Sequence, residues 1–297
     1  MKLYYISIFH KFKSILQQQK QQQNHNKDRD KMNSPAEVMV FVVDGHRVTI
    51  NKHLPSHTTF DGQKLHHPFE TKTIPGKNKW TSAAIYSEEY VDGRREIIQN
   101  CDRFDIKHDG SCGALVWDSS ENKYIPYARF DVKKKNGSFL KDESKMKRWI
   151  QCEPMPLDEH ATHWPHFRPL DEDDKMYKWS QNAFDSSTEY ISKMTPEVHG
   201  NTVTIEYMGK KFNGKPSDPI SKECGIVIHG SLRMDVPKPL RNYDGFKKIF
   251  ENVSIEGLVA YPQNGPPMKI RAELFEGISW GDKIPSTEFG LSENVLL

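Results

Sequence analysis

Cysteine is scarce in this chain, and its few thiols lie far apart. The four of them, Cys101, Cys112, Cys152 and Cys224, make no C-x-x-C. That spacing suits free thiols in a reducing compartment better than a disulfide framework or a zinc knuckle. Long apolar runs are missing as well. No window approaches the ~18 uninterrupted apolar residues of a membrane span. The opening "MKLYYISIFHKFKSIL" is interrupted by His10, Lys11 and Lys13, and it has no small-residue cleavage site of the kind a secretory signal needs. The expectation is a soluble, intracellular, cytoplasmic protein with no membrane contact and no evident protein partner.

Net charge is also nearly absent, at +2, but the small total hides an uneven distribution. Residues 1–33 hold seven Lys or Arg against two Asp, a surplus of five. The remaining 264 residues hold 35 basic and 38 acidic side chains, a net −3. A general positive field over the folded body is therefore excluded, and any nucleic-acid contact has to be a local patch.

Composition divides the chain into three stretches. Residues 1–33 read as a basic, glutamine-rich disordered tail, since "QQQKQQQNHN" has too little apolar surface to offset its ordering entropy. Residues 34–67 contain "VMVFVVDGHRVTIN", two β-rich runs around Asp44-Gly45, which predicts a short hairpin or N-terminal extension. Residues 68–297 form the main domain. Further strands are predicted at 112–118, 123–132, 202–209, 225–234, 255–262 and 267–275. One helix is predicted over 243–253, where Phe246, Ile249, Phe250 and Val253 recur at helical spacing. "TPEVHGN" reads as a connection. The expected class is α+β with extensive antiparallel sheet.

Chemistry enters at "RFDIKHDGSCGALVWD" (103–118), where Lys107, Asp109 and Gly110 stand between two strand-like runs. K-x-D-G alone arises by chance in on the order of one chain in ten, so its weight depends on the residues downstream. Arg129 comes next in "PYARFDV", then Glu206 in "TIEYMG", Glu256 in "SIEGLVAY", and finally Lys269 and Arg271 in "MKIRA". The last two share a strand face, because side chains alternate with period two. A lysine, two separated carboxylates and a closing pair of cations suit nucleotidyl transfer. A lysine nucleophile must shed its proton before attack, and nearby cations ease that loss. The same cations neutralise an α-phosphate as pyrophosphate leaves. Carboxylates hold hard metal ions or ribose hydroxyls, and Gly110 allows backbone to approach a phosphate.

These ordered motifs resemble those of covalent nucleotidyltransferases, and within them the eukaryotic 5′-to-3′ RNA ligase family. "WPHFRPLDEDDKMYKW", "EYMGKKFNGKPSD" and "IVIHGSLRMDVP" extend the likeness over roughly residues 68–282. The resemblance implies a nucleotidyltransferase fold with antiparallel sheets flanking a nucleotide cleft and no C-terminal OB domain. It implies an ATP-dependent, Mg2+- or Mn2+-requiring ligase that joins RNA 5′-phosphate and 3′-hydroxyl ends. Lys107 would carry AMP; Asp109 and Gly110 would complete its motif. Arg129 would touch ribose or the RNA 5′-phosphate, Glu206 the ribose, Glu256 the metal, and Lys269 and Arg271 the α-phosphate.

Rival readings stay in view. A capping guanylyltransferase or DNA ligase usually needs an OB domain after the last motif, and 28 residues follow Lys269. A non-catalytic nucleotide or RNA-end binding protein would have no need of the lysine. Outside the motifs, Lys133, Lys134, Lys135, Lys141, Lys145, Lys147 and Arg148 form the best basic patch for an RNA backbone. His160, His163 and His166 read as a histidine-rich loop, because Pro165 rules out a regular helix. The "DEDD" run at 171–174 reads as a solvated turn.

Overall fold

Asp44 and Gly45 both adopt positive φ, at 48° and 78°. That is the backbone of a type I′ turn, and it joins β1 (Ala36–Val43) to β2 (His46–Lys52) as the sequence predicts. The computed structural model describes residues 36–53, 62, 64–75, 82–135, 137–139, 146–157, 161–170, 177–209, 211–212 and 224–279. The chain divides into two units, Met1–Ala36 and Glu37–Leu297. The tail expected over 1–33, Lys141, Lys145, His160 and the run 171–174 lie outside the described residues.

Two sheets frame the second unit. The first has six strands. Besides the hairpin it contains β5 (Arg103–Lys107), β13 (Leu232–Asp235), β14 (Gly257–Tyr261) and β15 (Met268–Arg271), in the order β1-β2-β13-β5-β14-β15. The hairpin is thus an integral part of this sheet, with Met234 of β13 opposite Ile50 of β2. The second sheet has seven strands: β6 (Ser111–Asp118), β7 (Lys123–Lys135), β8 (Ser138–Phe139), β9 (Ile150–Gln151), β10 (His163–Pro169), β11 (Thr202–Met208) and β12 (Gly225–Ile228). Its order is β12-β11-β6-β7-β10-β9, with β8 paired to β7. A separate two-stranded sheet consists of β3 (Phe69–Pro75) and β4 (Ser82–Tyr90).

Alternation assigns each strand one apolar and one polar face. In β5, Phe104 and Ile106 enter the core, and Arg103, Asp105 and Lys107 face the other way. The apolar side of the first sheet is covered by α5 (Tyr243–Asn252), whose Phe246, Ile249 and Phe250 are buried as the helical spacing predicts. Asn242 caps that helix by accepting from the Gly245 N–H at 2.9 Å. The aromatics of the small hairpin join the same core. Phe69 meets Tyr86, Tyr90, Tyr243, Phe246 and Phe275 with ring centres 4.9–6.3 Å apart. Helix α1 (Arg94–Gln99) buries Ile98 in the core of the first sheet. On the second sheet, Leu115, Tyr124, Val203, Ile205 and Tyr207 pack with Ala183 of α2 (Tyr177–Ser186) and Ile191 of α3 (Thr188–Ile191).

Several expectations need correction. The α+β nucleotidyltransferase fold is not what forms: strands take 45% of the described residues against 21% for helix, in three antiparallel sheets. Among the described residues, the longest helices, α2 and α5, have 10 residues each, so these helices only cover sheets. The run 225–234, read as one strand, is two, and they lie in different sheets. Gly230, at φ 81°, turns the chain between them. "HATHWPH" is no loop from His163 onward, because β10 pairs with β7 over seven residues. "TPEVHGN" contains a single helical turn, α4 (Pro196–His199). The four cysteines are free thiols. Among the described residues, no helix is long and apolar enough to cross a membrane.

Phe69 is 1% exposed at the centre of its aromatic cluster. Phe69→Ala should lower unfolding free energy by about 3–5 kcal/mol, measured by urea denaturation; a loss below about 1 kcal/mol would contradict this packing.

Candidate active site

The chain passes from one sheet to the other at the K-x-D-G stretch. Lys107 ends β5 in the six-stranded sheet, Ser111 opens β6 in the seven-stranded one, and three residues connect them. A Cβ on Gly110 would lie 2.4 Å from the Tyr207 carbonyl oxygen and 2.7 Å from Glu206 Cγ. The glycine is therefore required by contact with β11. The sequence motif suggests phosphate approach for it; close packing against protein already accounts for it.

The facing sheets enclose a cavity of about 340 Å³. Lys107, Asp109, Gly110, Arg129, Glu206, Glu256, Lys269 and Arg271 all line it. These eight span 165 positions of sequence, from Lys107 to Arg271, counting both ends. Register explains their meeting. Gly257 pairs with Lys107 on one side and Arg271 on the other, so Glu256, one residue earlier, stands between them. Across the cleft, Glu206 pairs with Cys112. Arg129 comes from β7, where its Nη2 is 3.2 Å from Asp131.

Charges inside are closely paired. Lys107 Nζ donates to Glu256 Oε2 at 2.5 Å, and Arg271 Nη2 approaches the other oxygen at 3.6 Å. Glu256 is 3% exposed. Burial raises its carboxyl above the ordinary range, against the pull of Lys107 and Arg271. Burial likewise raises Asp109. It lowers the Lys269 amine, and neighbouring Arg271 and Lys107 push the same way. Glu206 meets His229 Nε2 at 3.0 Å.

Sequence reasoning missed other lining residues: Lys64, Asp105, His108, His229 and Tyr261. Asp105 was legible, because alternation from Lys107 puts it on the same face. It accepts from Arg103 Nε at 2.8 Å and Nη2 at 2.5 Å, and Arg233 Nε lies 3.5 Å away. The Arg103 guanidinium stacks 4.5 Å from the Tyr261 ring centre. His108 is buried, and with help from His229 and Lys107 burial lowers it to about 3. It is neutral at physiological pH.

Tyr86 of β4 was missed too, and it holds the last motif from behind. The Arg271 N–H donates to its hydroxyl at 3.1 Å, and His67 Nδ1 lies 2.6 Å from the same oxygen. The hydroxyl donates to the Lys269 carbonyl at 3.4 Å, and the direction of its contact with His67 depends on the histidine tautomer. Burial, Lys269 and Arg271 lower His67 to about 4, so its ring is neutral at physiological pH. The Lys269 N–H donates to the His66 carbonyl at 2.8 Å.

The proposed RNA-contacting lysines do not line the cavity. Lys133, Lys135, Lys147 and Arg148 are exposed near the end of β7 and before β9, and Lys134 lies over the Phe139 ring at 5.4 Å. Among the described residues, no group of three His, Cys, Asp or Glu is assembled to hold a metal. The donor set, Glu256 with Asp109 and Glu206 nearby, fits a hard cation held by one or two carboxylates, water and substrate phosphate. Set against protein-family models and against curated proteins, the chain finds no match in either.

Two outcomes are expected. Tyr86→Phe leaves the Arg271 N–H without its acceptor and should cost about 1–3 kcal/mol, read by denaturant unfolding; no change would contradict the anchor. For His67 and His108, the ordinary value is 6.5 and the folded values are about 4 and 3. Between those limits the unfolded chain binds protons that the folded chain refuses, so these two histidines make stability rise with pH. Glu256 and Asp109, raised by burial, act in the opposite sense above their ordinary values. The comparison is therefore between proteins: His67→Gln with His108→Gln should flatten the rise seen in wild type between about pH 4 and 6.5. Parallel curves would contradict it.

Proposed function

We propose that this protein is an ATP-dependent RNA ligase working through a lysine-AMP on Lys107. The observation that carries the reading is the convergence of the ordered motif residues in one cavity, with the Lys107 amine 2.5 Å from a buried carboxylate. Cations and carboxylates are nearly balanced there, which suits a polyphosphate accompanied by a divalent ion.

In the first step Lys107 Nζ attacks the α-phosphorus of ATP. The N–P bond forms, the bond to the pyrophosphate oxygen breaks, and pyrophosphate leaves. Glu256 holds Nζ in a 2.5 Å hydrogen bond until attack, and the amine's proton leaves to solvent water as the N–P bond forms. Lys269 and Arg271 offset charge on the α-phosphate. A bound Mg2+ or Mn2+ would supply further charge neutralisation at the phosphates, held by Glu256. Arg129 and Glu206, on the opposite sheet, are available to ribose or an RNA 5′-phosphate. In the second step an RNA 5′-phosphate oxygen takes AMP from the lysine, breaking the N–P bond. In the third a 3′-hydroxyl attacks the activated 5′-phosphate and AMP departs. Positioning and charge stabilisation carry each transfer.

Labelling with α-phosphate-tagged ATP tests the reading. Wild type should acquire label and then join 5′-phosphorylated RNA ends. Lys107→Ala should acquire none, but it also strips a partner from buried Glu256, a change that can cost about 3–5 kcal/mol. Lys107→Arg keeps that positive charge without an amine nucleophile and should be equally unlabelled while remaining folded. Labelling by GTP alone would favour a guanylyltransferase. No labelling by either, across divalent metals, would favour a binding protein.

A further inference from the structure

The seven-stranded sheet carries a second surface, at its β9 edge, that the cavity chemistry does not use. Successive residues of β7 point to opposite faces, so Arg129 lines the cavity and Phe130 looks away from it. Phe130 is 37% exposed, which is unusual for a large aromatic. The Arg168 guanidinium lies 4.5 Å from its ring centre, and Trp149 meets it edge-on at 5.2 Å. His166, the register partner of Phe130 on β10, supports Trp149 from beneath at 5.8 Å. Lys147 and Arg148 are exposed immediately before Trp149. These cations stand out in a body that is otherwise net acidic.

Aromatic faces interleaved with cations match a ligand with flat π-systems and regularly spaced negative charge. An acidic peptide has the charge without the flat groups, and a duplex hides its bases in the stack. A single strand presents both. We propose that Phe130, Trp149, Arg168, Lys147 and Arg148 form a contact surface for single-stranded RNA, with bases stacking on the two rings and phosphates against the cations. The choice of RNA as the polymer rests on the ligase reading of the cavity; the surface itself rests on the arrangement of rings and cations. Lying on the same strand as Arg129, it would hold the body of an RNA strand while an end is processed on the other side of the sheet.

The test uses full-length protein and a fluorescein-labelled oligouridylate about 12 nucleotides long, with fluorescence anisotropy read across a salt series. Phe130→Leu and Trp149→Leu keep apolar bulk and remove the π-faces; together they should weaken binding at least ~10-fold. Lys147→Ala with Arg148→Ala should reduce the slope of log affinity against log salt by about 1.4. Lysine adenylation, which needs no RNA, should be unchanged in all four substitutions, and unchanged melting temperatures show that folding is intact. Unaltered affinity in the leucine variant overturns the proposal, as does a loss confined to the charge variant, which would mark a surface sensing charge alone. Wild type that binds the oligouridylate through these residues yet never takes AMP contradicts the ligase reading and supports the surface. Wild type that takes AMP but binds RNA indifferently to these substitutions does the reverse.

Discussion

Three residues, His108, Asp109 and Gly110, carry the chain across the gap between two sheets, and the site exists because that crossing is so short. A longer connection would let Lys107 and Cys112 drift apart; this one fixes both walls of the cleft relative to each other. A Cβ at Gly110 would run into the Tyr207 carbonyl and Glu206, so the crossing lies close against β11. Any side chain there would force the sheets apart or twist the loop that carries the lysine. The motif lysine, its aspartate and the opposite carboxylate are thus positioned by a single steric condition.

Electrostatics builds on that frame. Glu256 is almost fully buried, a costly place for a carboxylate unless it is paired. Lys107 and Arg271 supply the pairing from neighbouring strands, and the antiparallel register of β5, β14 and β15 decides which residues meet. Tyr86, from the small hairpin, fixes β15 through its backbone and leaves the side chains of Lys269 and Arg271 to the cavity. The hairpin contributes its aromatics to the core and one hydroxyl to the site. The neutral state of His108 keeps a further positive charge out of a cleft that already holds several.

Much of this was legible in the sequence, though unevenly. Asp44-Gly45 predicted its hairpin because only a few residues tolerate two positive φ values, and α5 was readable because Phe246, Ile249 and Phe250 repeat on one face. The strands of the cleft alternate cleanly and were placed to within a few residues. β3, β4 and β10 were missed for opposite reasons. "FETKTIP" shows little apolar alternation because residues 70–74, on both faces of the strand, are exposed, and in "SAAIYSEEY" the apolar residues are too few to mark a face. "HWPHFRP" hides its alternation behind prolines and histidines. The run through His229-Gly230 looked continuous because local pattern does not report a change of sheet. The expected balance of helix and strand failed because the likeness of motifs speaks to side chains and their order, and two ten-residue helices are too little to make an α+β fold. The site residues could be named in order. What could not be read were the distances, the role of Gly110 against protein, and partners such as Tyr86 and His229 that lie in unremarkable segments.

The central claim is that one particular amine among the cavity lysines becomes covalently modified. Peptide mapping by mass spectrometry after incubation with ATP and magnesium tests it most directly. The account predicts AMP on Lys107 and on no other lysine. AMP on Lys64 or Lys269, with Lys107 unmodified, would contradict it.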